Sequence, residues 1–192
     1  MPAPAAWSWT GIYFGVNAGY GWGTAIDLDS GFNNDTSPSG WLAGGYVGAN
    51  YQFAGGLLIG IDAAWDWANL TDTISGTVPF DYTVTTNINS IGSVAGRLGF
   101  GMDRWLIYAR GGWAWAGSQR IFDPSGGGYY SDNQTLSGWT AGFGAEYAFT
   151  NNLVGRLQFD HYAFNNAVYN LFVPVTVATT VNTVTAGIAL KF

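Results

Sequence analysis

Eight charged side chains fall inside segments that otherwise alternate between apolar and small residues: Asp62, Asp66, Arg97, Arg110, Glu146, Arg156, Asp160 and Lys191. Four are acidic and four are basic. Opposite charges that share a face make charge-assisted hydrogen bonds, so this set supports a salt-bridged ladder, or a gate built from one, and not a single-sign filter. Nucleophilic catalysis finds little support. There is no cysteine, and the one histidine, His161, directly follows Asp160. Neighbouring strand residues point to opposite faces, so Asp160 is badly placed to orient that imidazole, and no serine can be assigned to it. No catalytic site is expected.

Metal and phosphate chemistry fare no better. Asp27, Asp29, Asp35, Asp72, Asp81, Asp123 and Asp132 lie in polar connections against a single Arg120, which reads as a solvated acidic surface. The stretch DLDSGFNND starts like a calcium loop, but its glycine comes one place early and its twelfth position is Pro38 where glutamate is needed. Glycines 126–128 open no helix, so they make no phosphate cradle. The expectation is no metal and no cofactor.

What elements would hold these charges? Charged residues are 9% of the 192, against roughly 25% in soluble domains, while aromatics reach 17% and glycine 29 residues. No run of about 18 apolar residues is present, so no transmembrane helix is available. A net charge of −6 and a pI near 4.3 exclude a broadly basic nucleic-acid surface. The opening MPAPAAW has neither a basic nor an apolar signal region, so the expectation is a chain whose export signal has been removed.

The stretch GIYFGVNAGYGWG has period two: Ile12, Phe14, Val16, Ala18, Tyr20 and Trp22 on one face, glycines with Tyr13 and Asn17 on the other. Seven further runs behave alike, carrying their apolar residues on Trp41–Phe53, Leu57–Trp67, Val94–Phe100, Trp105–Trp115, Trp139–Phe149, Leu153–Phe159 and Val184–Phe192. Their connections alternate between long polar segments and tight turns at Ala54–Gly56, Met102–Arg104 and Thr150–Asn152. An even-stranded meander with all its short turns at one end predicts an all-β, eight-stranded antiparallel up-and-down transmembrane β-barrel. Residues 1–9 read as a lead-in on the short-turn side, and 10–192 as a single barrel domain.

A soluble eight-stranded barrel is the rival, and the placement of charge separates the two. The apolar faces contain no Asp, Glu, Lys or Arg; all eight charges lie on the opposite face. A charge at mid-depth on a lipid-facing wall costs roughly 2–4 kcal/mol, so a membrane barrel must clear that face while a water-facing wall need not. Aromatics give an independent check. Trp22, Trp41, Trp65, Trp67, Trp113, Trp115 and Trp139 fall near the long-connection end, and Tyr51, Phe53, Phe100, Trp105, Tyr147, Phe149 and Phe192 near the short turns. Paired members such as Trp41 and Tyr51 are ten residues apart. At ~3.3 Å per residue and a ~40° tilt that is ~25 Å, the height of an outer-membrane apolar band.

WTGIYFGVNAGYGWG, SVAGRLGFG, LIYARGGWAWAG, TAGFGAEYAF and NTVTAGIALKF resemble the small porin-like outer-membrane immunogenic proteins of Gram-negative bacteria, whose barrel is similar to the OmpA transmembrane domain. The resemblance spans all eight strands and none of the long connections. It implies that Phe192 and the alternation before it form the C-terminal signal read by the barrel-assembly machinery, with Leu190 where an aromatic is usual and Thr185 where a basic residue is frequent. It places the chain in the bacterial outer membrane, termini in the periplasm and long loops outside, with lipid and lipopolysaccharide around it. An eight-stranded barrel is just wide enough for side chains to fill. The expected role is therefore a monomeric, structural or surface-exposed barrel plugged by its charge ladder, showing four acidic loops. A narrow gated porin and a loop-mediated adhesin are the alternatives, and no OmpA-like wall tether is expected.

Overall fold

The computed structural model describes residues 7–28, 35–77, 81–124, 128–171 and 174–192. Nine strands follow one another: β1 (Gly11–Asp27), β2 (Ser39–Gln52), β3 (Leu57–Gly76), β4 (Tyr82–Met102), β5 (Trp105–Pro124), β6 (Tyr130–Ala148), β7 (Leu153–Phe164), β8 (Ala167–Asn170) and β9 (Pro174–Lys191). Each of β1 to β6 pairs antiparallel with the next, β7 pairs with β9, and β9 closes onto β1 from Tyr13↔Lys191 to Asp27↔Val177. Eight strands thus form a closed ring, as a wall in lipid requires, and above it, among the described residues, the upper ends of β3 and β6 pair on one side only, with β4 and β5. The ninth, β8, is a four-residue strand that pairs only with the far end of β9.

Side chains alternate as the period-two pattern predicts. Of the fourteen girdle aromatics, twelve are exposed on the outer wall, including Trp41, Trp67, Tyr51, Phe149 and Phe192, while Trp115 and Tyr147 are half-buried against neighbouring rings. Ring centroids lie 4.9 Å apart for Trp113–Trp115 and 4.8 Å for Trp105–Tyr147. Phe192 donates its N–H to Ile12 O at 2.9 Å and stacks on Phe14 at 5.6 Å. The short turns need left-handed backbone, supplied by Gly55 and Gly56 at φ 95° and 96° and by Asp103 at 51°.

The long polar connections differ from expectation. RIFDP and YSDNQT, expected as loop, are paired strand, because β3, β4, β5 and β6 run on well past the upper tryptophans. Thr, Tyr, Ile and Phe in these segments favour the pleated conformation. Two bulges, at Trp67/Leu70 and Ile88/Ser90, insert one residue each near girdle height, so that Ile88 and Ile91 both face inward.

Nor are the acidic residues simply solvated. Asp72 Oδ2 accepts from Ser37 N at 2.6 Å, Asp35 Oδ1 from Asp27 N at 3.0 Å, and Asp132 Oδ2 from Asn170 N at 2.7 Å. These clips tie the first connection to β3 and the β8 hairpin to β6. Asp29 lies outside the described residues, as do 126 and 127 of the glycine run.

The Asn170 N–H, with the Gln134 amide, holds the Asp132 carboxyl below the usual carboxylate range. A folded-state value below the unfolded one (about 3.9) means the clip's contribution is fully present above that value and lost as pH falls through the folded one. The Asn170 amide protection factor should therefore be constant from neutral pH to about 4, then drop under further acidification. In Asp132→Asn it should be pH-independent. A flat wild-type profile down to pH 2 would contradict the clip.

Candidate functional site

Among the described residues, buried ionised groups gather in the interior of the ring. Alternation sends Asp62 (β3), Arg97 (β4), Arg110 (β5), Glu146 (β6), Arg156 and Asp160 (β7) inward, and all six are buried. Arg97 Nη2 lies 2.6 Å and Arg156 Nε 2.8 Å from the same Glu146 Oε1. Arg110 bridges two carboxylates, reaching Asp160 Oδ1 at 2.8 Å and Asp62 Oδ1 at 3.0 Å. Asp62 Oδ2 also lies 3.5 Å from Arg156 Nη1 and 4.0 Å from Arg97 Nε. Asp62 thus touches all three guanidinium groups, and three positive charges face three negative ones.

Neutral side chains complete the set. Arg97 Nη1 donates to Tyr13 Oη at 2.6 Å, Tyr108 Oη to Gln158 Oε1 at 2.6 Å, and Gln158 Nε2 to Asp160 Oδ2 at 2.6 Å. Ser93 accepts from Arg110 Nη2 at 3.0 Å. Two guanidinium planes rest on rings, Arg97 on Tyr108 at 3.7 Å and Arg156 on Tyr46 at 3.8 Å, adding cation–π attraction in a desolvated setting. Room for these rings comes from inward glycines: a Cβ at Gly144 would strike the Tyr108 hydroxyl, and one at Gly48 the Tyr13 hydroxyl.

Two members of the expected ladder stand apart from it. Among the described residues Asp66 makes no ion pair; its Oδ1 accepts from Asn17 Nδ2 at 2.7 Å. Lys191 sits at the short-turn mouth with its Nζ 4.9 Å from the Trp7 ring, outside the ion-pair network. The reason is reach: Lys191 is the last residue of β9, four residues beyond the level of Glu146, and its Nζ turns toward Trp7.

Apolar layers bound the cluster on both sides. Toward the long-connection end lie Leu42, Leu70, Ile88, Ile91, Leu136, Tyr162, Phe164 and Val181. Toward the short turns lie Trp9, Leu58, Leu106, Tyr108, Ala148 and Val154. Trp9 belongs to the segment expected as a lead-in, yet it is buried under the barrel. Its N–H donates to Gln52 Oε1 at 2.9 Å and its indole to Asp103 O at 3.2 Å. Gly101 makes its seat, since a Cβ there would lie 2.7 Å from Trp9 Cδ1. A cavity of about 10 Å³ between floor and cluster, edged by Tyr46, Asn50, Glu146 and Arg156, has room for about one water.

Above the apolar cap the mouth is bridged again. Thr36 Oγ1 donates to Thr86 Oγ1 at 2.9 Å, Tyr169 Oη to Ser118 Oγ at 2.9 Å, and Arg120 Nη2 lies 3.7 Å from Asp27 Oδ2. Among the described residues no three Asp, Glu, His or Cys side chains converge as metal ligands. His161 and Asp160 part as alternation requires: His161 Nδ1 is 2.8 Å from Asn182 Oδ1 on the outer wall, its ring 5.6 Å from Trp139, while Asp160 serves Arg110 inside.

Residues 1–192 match the outer membrane protein beta-barrel domain family. Over 161 residues the chain is 33% identical to the 31 kDa outer-membrane immunogenic protein of Brucella melitensis biotype 1, spanning 76% of this chain and 67% of that protein. It is 30% identical over 201 residues to the 25 kDa outer-membrane immunogenic protein of Brucella canis, covering 100% and 85%. Among solved structures, the outer membrane protein OprG from Pseudomonas aeruginosa superposes with a TM-score of 0.56 at 12% identity, covering 97% of this chain and 98% of that one. The outer membrane protease OmpT from Escherichia coli also gives 0.56, at 9% identity and 99% coverage of both. These two likenesses show the fold alone.

Removing Arg110 would strand Asp62 Oδ1 and Asp160 Oδ1 in a dry interior. Arg110→Ala should lower unfolding free energy by about 3–5 kcal/mol, read as the urea midpoint at which the compact, heat-modifiable gel band disappears from vesicle-embedded protein. Adding Asp62→Asn and Asp160→Asn to that variant should recover part of the loss. An unchanged midpoint for Arg110→Ala would mean the pairs contribute nothing.

Proposed function

Since the chain belongs to the outer membrane protein beta-barrel domain family and is an outer-membrane β-barrel, we propose that it acts as a closed barrel, an anchor that works through its wall and rim and not through its lumen. The observation that carries this reading is the balanced Arg97–Arg110–Arg156 and Asp62–Glu146–Asp160 cluster held between two apolar layers. A solute crossing the barrel would have to part at least five ion pairs and displace both Trp9 and the Leu42–Ile91 layer. Conduction needs sites that bind weakly enough to release, and a cluster satisfied by its own side chains offers none.

In this reading the short turns and Trp7–Trp9 face the periplasm, and the prolonged β3–β6 sheet rises outside the cell with the tips Asp81 and Asp123 exposed. Short periplasmic turns and longer extracellular connections are the usual arrangement of such barrels. The barrel-assembly machinery would read the last strand, ending in Phe192, and lipopolysaccharide would surround the upper wall. The immunogenic relatives support a surface-exposed role.

Planar-bilayer recording of the refolded protein tests the closed lumen, with insertion verified beforehand by heat-modifiable mobility. The expected result is an absence of steady unitary currents, in the wild type and equally in Trp9→Ala, because the charged cluster and upper layer remain. Reproducible wild-type channels that change with Arg97→Ala or Arg110→Ala would make the protein a pore.

A further inference from the structure

Above the upper tryptophans the wall keeps its alternation but changes its chemistry. Inward positions keep an apolar core, as Leu70, Val84, Ile88 and Leu136 illustrate, with Asp72, Asp132 and Gln134 as half-buried polar exceptions. Outward positions change from Trp, Leu and Phe to Thr, Asn, Ser and Gln. On β3 they are Asn69, Thr71, Thr73 and Ser75; on β4 Thr83, Thr85, Asn87 and Asn89; on β6 Ser131, Asn133, Thr135 and Ser137. Gln119 of β5, Thr24 of β1 and Thr180 and Asn182 of β9 continue the band, which Ile26, Leu28, Ile121 and Ala178 interrupt. Among the described residues of β3–β6 and β9 at this height, the one outward charge is Asp123, at the tip of β5.

We propose that this band is a glycan-facing surface whose partner is the saccharide of outer-leaflet lipopolysaccharide; the inference rests on the outer-membrane orientation proposed above. Three observations carry it. The band is continuous with the lipid-facing wall, starting where the girdle of Trp65, Trp67, Trp113, Trp115 and Trp139 stops. From Trp115 to Asp123 the strand climbs ~20 Å at ~3.3 Å per residue and ~40° tilt, deep enough for several sugar rings.

Charge is the second observation. A wall standing in water normally carries about 25–35% charged residues, and an exposed sheet is kept from sticking by lysine. Here the outward strand positions carry no charge but Asp123 at the tip of β5, although the chain has a net −6. Acids that occur at this height turn inward or cap turns, as Asp72 and Asp132 do. Carboxylates on the outer wall would repel the phosphates and acidic sugars of lipopolysaccharide. Lysine or arginine would instead grip phosphate, and Arg120, the basic residue of this region, is buried inside.

Hydrogen-bonding capacity is the third. Hydroxyl and amide side chains both donate and accept, which matches the hydroxyls of a sugar. Cross-strand pairs fix some of them, Thr73 Oγ1 to Thr85 Oγ1 at 2.9 Å and Thr24 Oγ1 to Thr180 Oγ1 at 3.0 Å, and each such hydroxyl keeps acceptor capacity pointing outward. A regular row of β-strand hydroxyls is a rigid surface, so little side-chain entropy is lost when saccharide settles on it.

Amide hydrogen exchange on full-length protein in two vesicle types tests the proposal: one with lipopolysaccharide bearing its saccharide, one with lipid A alone, both mixed with the same phospholipid. Insertion is scored separately by heat-modifiable mobility and by exchange in the Leu98–Ala109 region. The expected result is equal insertion, with exchange of β3, β4 and β6 above the girdle slowed several-fold only when saccharide is present. The variant Thr73→Val/Thr85→Val/Asn133→Ala/Thr135→Val keeps strand shape and should lose most of that protection while inserting normally. Equal exchange in both vesicle types, or full protection in the variant, would overturn the proposal. Failure to insert in either would overturn the membrane reading and this inference with it.

Discussion

Every backbone N–H and C=O in the wall must find a partner within the wall, because lipid offers none. That constraint closes β1 onto β9 and leaves no free edge along the ring. Closure with eight strands in turn sets the bore, which is just wide enough for side chains to fill. Everything distinctive about the interior follows from having to fill that bore. Glycine clears space on one strand for a ring on another, as Gly144 does for Tyr108 and Gly48 for Tyr13.

Filling it with charge creates a second requirement. Arg97 and Arg110 are direct partners across β4 and β5, an arrangement that is repulsive when left to itself. Asp62, from the neighbouring β3, lies between them and contacts both, and Glu146 and Asp160 draw the two guanidinium groups apart. The cluster holds together only as a closed circuit through four strands, β3, β4, β5 and β6, and a fifth, β7. It is therefore a consequence of barrel closure as much as of local sequence. Buried pairs rarely add net stability, and a well-packed apolar filling would serve as well energetically. What the cluster adds is register: a one-residue slip of β5 would send Arg110 into lipid.

That coupling explains which features could be read from the residues. Period two is a local property, so the outward faces, the tight turns and the two aromatic belts were legible at Trp41–Phe53 or Trp105–Trp115 without knowing any partner. The sign balance of the lumen was legible too. The identity of the pairs was not, because whether Arg110 meets Asp62, Asp66 or Asp160 depends on strand stagger around a ring that no single segment encodes. The same limit hid Trp9, whose burial depends on Gly101, Gln52 and Asp103, more than forty residues away along the chain. Beyond the girdle, the connections read as loop because Gly, Asp, Ser and Asn punctuate them; tertiary pairing overrode that punctuation at Tyr130–Leu136 and Ile121–Pro124.

A filled bore shifts the burden of function to surfaces that face outward. Along β3 the same alternation runs through lipid, through the tryptophan belt and then into a region of Asn69, Thr71 and Thr73, with the inward row apolar or paired throughout. One strand thus records three external environments in turn, and the inner row, which meets the same packed interior at most depths, records only one. The position at which outward residues change from apolar to hydroxyl and amide marks where the hydrocarbon-facing wall ends. Where the bore is packed with side chains, that boundary and the rim above it are where the residue choices remain free of the demands of closure and packing, which have already claimed the rest.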